Sequence, residues 1–195
     1  MIPDTAMDSA HRDQGINTTL FANAVAAVID KVYSLTGKNS ILVSHSQGGF
    51  PGWEAPRYTD HIASIIAIEP GGAPCVKSDN YNVLVQKIIP IVFYYGDYIG
   101  QNYLNIPAAG MWDFMRLSAY TFQESSRSAG LTCMVYDLLN EGIYGNDHMM
   151  FQDLNNDVIA SHIEDCIINN VGSLYSNSRF IALTRFSFYL LFLFV

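Results

Sequence analysis

The sequence is poor in charge, in basic charge above all: Lys and Arg number 10 of 195 residues against 18 Asp and Glu, giving a net charge of -8. Its four lysines, Lys31, Lys38, Lys77 and Lys87, stand singly. No basic stripe exists to neutralise phosphates, which argues against nucleic acid as a partner. Cysteine is scarce as well. Cys75, Cys133 and Cys166 lie far apart without a C-x-x-C pair, so a structural zinc site has no support and at most one internal disulfide could form. No H-x-x-x-H spacing places two histidines on one helical face, so no metal or cofactor is expected. The opening Met1-Ile2-Pro3-Asp4-Thr5 lacks the basic and apolar regions of a secretion signal. Asn17-Thr18-Thr19 would be a glycan acceptor in a secreted protein, and the compartment stays undecided.

What is present is apolar: hydrophobic residues make up 50% and charged residues 14%, ample for a core and too little charge for a disordered chain. The length fits one domain, residues 1–175. Residues 176–195 read as an apolar tail foreign to that domain. The run from Phe180 to Val195 would span about 24 Å as a helix, short of the roughly 30 Å of a hydrocarbon core. Arg185 also interrupts it, so membrane contact by residues 180–195 is the weaker reading.

The middle of the chain alternates helix and strand. Asn17 or Thr18 would cap a helix with Leu20, Phe21, Val25, Ala26, Ile29, Val32 and Tyr33 at helical spacing, stopped at Gly37. Ser40 to Ser44 is a short β-branched run suited to a buried parallel strand, and it leads straight into His45-Ser46-Gln47-Gly48-Gly49. Further strands are expected at Ile62–Ile68, Ile88–Tyr95 and Leu131–Tyr136, with helices at Met111–Ser128 and from Asn155 or Asn156. The pattern predicts an α/β fold with a mainly parallel sheet.

Strand, tight turn and small residues together form the setting of a serine nucleophile elbow, in which small side chains two before and two after the serine let strand and helix approach. Ser44 and Gly48 hold those positions around Ser46. Two carboxylates follow at strand ends, where open α/β sheets place their sites: Glu69 after the second strand and Asp97 after the third. Both precede His148 and fit the order serine, acid, histidine. His45, inside the elbow, reads as a packing or hydrogen-bonding residue, and His11, His61 and His162 as surface or helix residues. The aromatic group Phe93, Tyr94, Tyr95, Tyr98, Tyr103 and Trp112 reads chiefly as core, with Tyr98 and Trp112 the candidates for a pocket wall.

The segments SHSQGG, AIEPGG, FYYGDYI and GIYGNDHMMFQDLNN resemble a microbial branch of serine esterases with the α/β-hydrolase fold, over about Ile2 to Val171. In that branch the acid follows the strand next after the nucleophile strand. The resemblance therefore implies Ser46 as nucleophile, Glu69 as acid and His148 as base, while the general fold pattern would favour Asp97 as the acid. It also implies that the backbone N–H of Gln47 donates to the oxyanion. A small-molecule ester is the implied partner, and an extracellular place the implied location of the complete parent protein.

The resembled fold has eight strands in the order 1-2-4-3-5-6-7-8, and the pieces here match strands five to eight. The loop after strand three, which normally gives the second oxyanion donor, has no counterpart. The chain thus reads as an amino-terminally truncated carboxylic-ester hydrolase, with a non-catalytic hydrolase-like fragment or a tail-anchored binding protein as alternatives. Without strand three, the edge of Ser40–Ser44 is expected to lie open and to favour self-association into homo-oligomers.

Overall fold

A computed structural model describes residues 14–99, 107–171 and 189–193. Its centre is one five-stranded sheet. The strands are β1 (Ser40–His45), β2 (Ile62–Ile68), β3 (Ile91–Tyr95), β4 (Cys133–Asp137) and β5 (Tyr189–Leu193). They lie in the order β4-β3-β2-β1-β5, and every neighbouring pair is parallel. The helices are α1 (Gln14–Thr36), α2 (Gly49–Glu54), α3 (Asp79–Gln86), α4 (Pro107–Ser128) and α5 (Asn156–Cys166).

Parallel strands covered on both faces read as unbroken apolar runs, and β1 to β3 are buried along their whole length. Alternate residues go to opposite faces. Leu42, Ile65, Ala67, Phe93 and Tyr95 join Val25 and Ile29 of α1, Tyr81 and Leu84 of α3, and Ala119 and Phe122 of α4. Ile41, Val43, Ile66, Ile68, Val92 and Tyr94 meet Met150 together with Ile159 and Cys166 of α5. The sheet is thus a two-sided core whose strands all point their carboxyl ends at one edge.

Several boundaries differ from the sequence reading. α1 begins at Gln14, so Asn17 and Thr18 fall within the helix rather than at its start. Thr19 donates its hydroxyl to the buried Glu54 Oε1 at 2.8 Å. The far end agrees, with Gly37 at φ +67 returning its N–H to Tyr33 O. β3 starts at Ile91, three residues later than expected, because Ile88 takes φ +52 and Pro90 has no N–H to give a ladder. α3 was not anticipated, although Ser78 caps it by accepting from Tyr81 N.

The expectation of an open β1 edge is overturned. Tyr189 to Leu193 pair with Ser40 to Ser44 residue for residue, adding a fifth strand to the four expected. The rest of the tail, residues 176–188 and 194–195, lies outside the described residues, as do residues 1–13, which include His11, residues 100–106, which include Tyr103, and residues 172–175. Among the described residues no helix is long and apolar enough to cross a membrane.

Candidate active site

β1 delivers Ser46 into a left-handed conformation at φ +54, a strained state for a residue with a Cβ and the one that lifts its side chain clear of the sheet. The turn is sterically demanding. A Cβ on Gly49 would lie 2.7 Å from Pro70 Cβ, so only glycine fits there, whereas one on Gly52 would meet Ser44 at ordinary contact distance. A tight approach thus lies at Gly49, directly after the Gly48 position that the sequence suggests. Gly71 N–H donates to Ser46 O at 2.8 Å and ties the turn to the end of β2.

Glu69 follows β2 directly, also at positive φ (+38), and is fully buried. One carboxylate oxygen accepts the Gly96 N–H at 2.7 Å. The other bonds His148 Nδ1 at 2.6 Å. On the far side of that ring, Nε2 lies 3.0 Å from Ser46 Oγ. A carboxylate can only accept, so Nδ1 carries the proton and Nε2 is left to accept from the serine hydroxyl. Burial pushes the Glu69 carboxyl above the usual carboxylate range, opposed by its hydrogen bonds to His148 and Gly96.

His148 sits on a loop without regular structure, and that loop is tied down by side chains. Asp97, buried beyond β3, accepts from Asn146 N at 2.6 Å and Gly145 N at 3.1 Å. Asn146 donates to Asn155 Oδ1 at 2.7 Å, and Asp153 accepts from Asp147 N at 3.0 Å. The ring of Trp112, on α4, lies against His148 with centroids 4.0 Å apart. His45 donates from Nε2 to the main-chain O of His148 at 2.7 Å.

The structure therefore brings Ser46, His148 and Glu69 into one hydrogen-bonded line and sets Asp97 apart from the imidazole. Gln47, exposed, stands in the first turn after β1, a single turn of 3₁₀ helix (Ser46–Gly48), where opening amides lack partners within the helix. Of the aromatic group, Phe93, Tyr94 and Tyr95 are wholly buried, Tyr98 is exposed and Trp112 flanks the imidazole. His162 packs against Tyr94 and Tyr136, and His61 stacks on Tyr33. Sequence reasoning did not single out Asp153, or Asn155 beyond its place at a helix start. Their signal was the dense Asn and Asp content of the segment from Asn146 to Asn156.

No protein-family model and no curated protein matches the sequence. Among solved structures it is similar to a bacterial esterase, with a TM-score of 0.64 and 27% identity, over 77% of this chain. The chain spans 42% of the length of that esterase. The fold is thus an α/β, hydrolase-like one, shared with an enzyme described as an esterase.

Proposed function

We propose that this chain carries the nucleophile, base and acid of a serine carboxylic-ester hydrolase. The observation behind this reading is the unbroken line Ser46 Oγ, His148, Glu69, with contacts of 3.0 and 2.6 Å. A serine hydroxyl is a poor nucleophile until an imidazole takes its proton. His148 Nε2 is in reach to do so, and Glu69 fixes the tautomer and balances the cation that forms. Ser46 Oγ would then attack the ester carbonyl, with the negative oxygen held by the Gln47 N–H. His148 returns the proton to the departing alcohol, and water repeats the cycle on the acyl-enzyme. Phe50, exposed beside Gly71, and Trp112 beside His148 offer apolar surface to an uncharged ester.

The test is ester turnover together with fluorophosphonate labelling of Ser46. Ser46→Ala should abolish both while leaving the fold intact, since it removes one oxygen and little volume. Retention of most turnover would sink the assignment. A second reading is a non-catalytic hydrolase-like protein, one that keeps this hydrogen-bonded line without ester turnover. A folded chain that takes no label would favour that second reading.

A further inference from the structure

His45, buried beside both nucleophile and base, points its Nε2 at the main chain of His148. Its backbone is locked as the last residue of β1, in register with Ile68 of β2. Its ring is flanked by His148, with centroids 4.5 Å apart, and by the edge of Phe151 at 4.9 Å. Because a carbonyl can only accept, Nε2 must hold the proton in the 2.7 Å contact to His148 O. That nitrogen is consequently unavailable as a base.

We propose that His45 is a positioning residue: its Nε2–H holds the main chain of His148 from the strand that presents the nucleophile. The proposal rests on the reading of Ser46 and His148 as nucleophile and base. The loop bearing His148 has no ladder of its own, so its path depends on such side-chain anchors. Asp97 grips it at the N–H groups of Gly145 and Asn146. His45 grips it two residues further on, at the residue whose ring must meet Ser46 Oγ at 3.0 Å. Two adjacent residues, the last of β1 and the first of the turn after it, thereby set both partners of the proton transfer. A misplacement of about 1 Å between such partners can cost about 10²-fold in rate.

The full chain is compared with His45→Met, which keeps apolar bulk and removes the donor, and His45→Gln, whose amide nitrogen can reach the same carbonyl. Two readouts are taken: kcat and KM on a p-nitrophenyl ester, and the low-field proton resonance of the His148 Nδ1–H bond to Glu69. His45→Met should lower kcat by about 10- to 100-fold with KM within about twofold, and should broaden or remove the low-field proton. His45→Gln should restore kcat to within about fivefold and keep the proton. Wild-type behaviour of His45→Met in both readouts overturns the proposal, and so does equal impairment of the two variants, which would mark a packing role. If the wild-type chain shows the low-field proton but no turnover, the hydrolase reading fails. The proton resonance in the two variants then decides for or against positioning by itself.

Discussion

The carboxyl ends of β2 and β3 make similar provision and put it to different use. The two strands are parallel neighbours, and each is followed by a buried carboxylate, Glu69 and Asp97, that accepts backbone N–H groups. Glu69 gives one oxygen to Gly96 N–H and the other to the His148 ring. Asp97 gives both to main chain, at Gly145 and Asn146. Thus one acid orients the imidazole and its neighbour orients the loop that carries it. Standing at a strand end brings an acid to the site; its second oxygen decides what it does there.

The sharpest way to break this comparison is to neutralise each acid in turn. Removing the carboxylate behind a catalytic imidazole lowers turnover by about 10⁴ in a protease triad, and Glu69→Gln should act on that scale in ester turnover. Asp97→Asn should lower kcat by no more than about 10²-fold, through loop misplacement. It should show its main effect in denaturant unfolding, losing about 1–3 kcal/mol, because an amide can no longer accept from both N–H groups. The reverse ranking in turnover would transfer the acid role to Asp97.

Gly96 joins the two ends, and a single methyl there tests whether they are coupled. A Cβ on Gly96 would lie 2.5 Å from Asn146 O and 2.9 Å from Glu69 Oε1. The carbonyl belongs to main chain held by Asp97, and the carboxylate is fully buried, so neither can yield cheaply. Gly96→Ala should cost about 1–3 kcal/mol of stability, as overpacking does, and about 10²-fold in kcat with the fold retained. Thermal melting and kcat measured on the same preparation check it. Wild-type turnover at reduced stability would show that the two acids act independently.

Much of this arrangement was legible in the residues. The β-branched run before Ser46, the small residues after it and the Glu-Pro-Gly after β2 carry local constraints that sequence records directly: burial on both faces, close backbone approach, a turn. The choice between Glu69 and Asp97 was only partly legible, since it depends on which oxygen faces the ring across 79 residues of chain. β5 was not legible because a continuous apolar run such as Tyr189-Leu190-Leu191-Phe192-Leu193 suits a parallel strand, an apolar helix or a foreign tail equally well, and only its pairing with Ser40–Ser44 decides. The loop anchors Asp153 and Asn155 were hidden for a related reason. Their partners are main-chain and amide groups of a loop whose path no periodicity describes.

The smallest expected effect concerns Glu69 alone and is read by pH rather than by rate. Burial raises the Glu69 carboxyl above its ordinary value near 4.5, so between that value and its raised one the folded chain holds more proton on this group than the unfolded chain does. Stability changes with pH in proportion to protons bound unfolded minus protons bound folded, which is negative here. The stabilising contribution of the protonated group is therefore whole below the unfolded value and is lost as pH rises through the folded one. Glu69→Gln cannot ionise and should lack this fall. In urea titrations taken stepwise upward from pH 4, the stability of the wild type should decline relative to that of Glu69→Gln until Glu69 is fully ionised, and run parallel to it above. A wild type that instead gains stability relative to Glu69→Gln over that interval would mean that the His148 and Gly96 hydrogen bonds outweigh desolvation, and that Glu69 is held ionised before any substrate arrives.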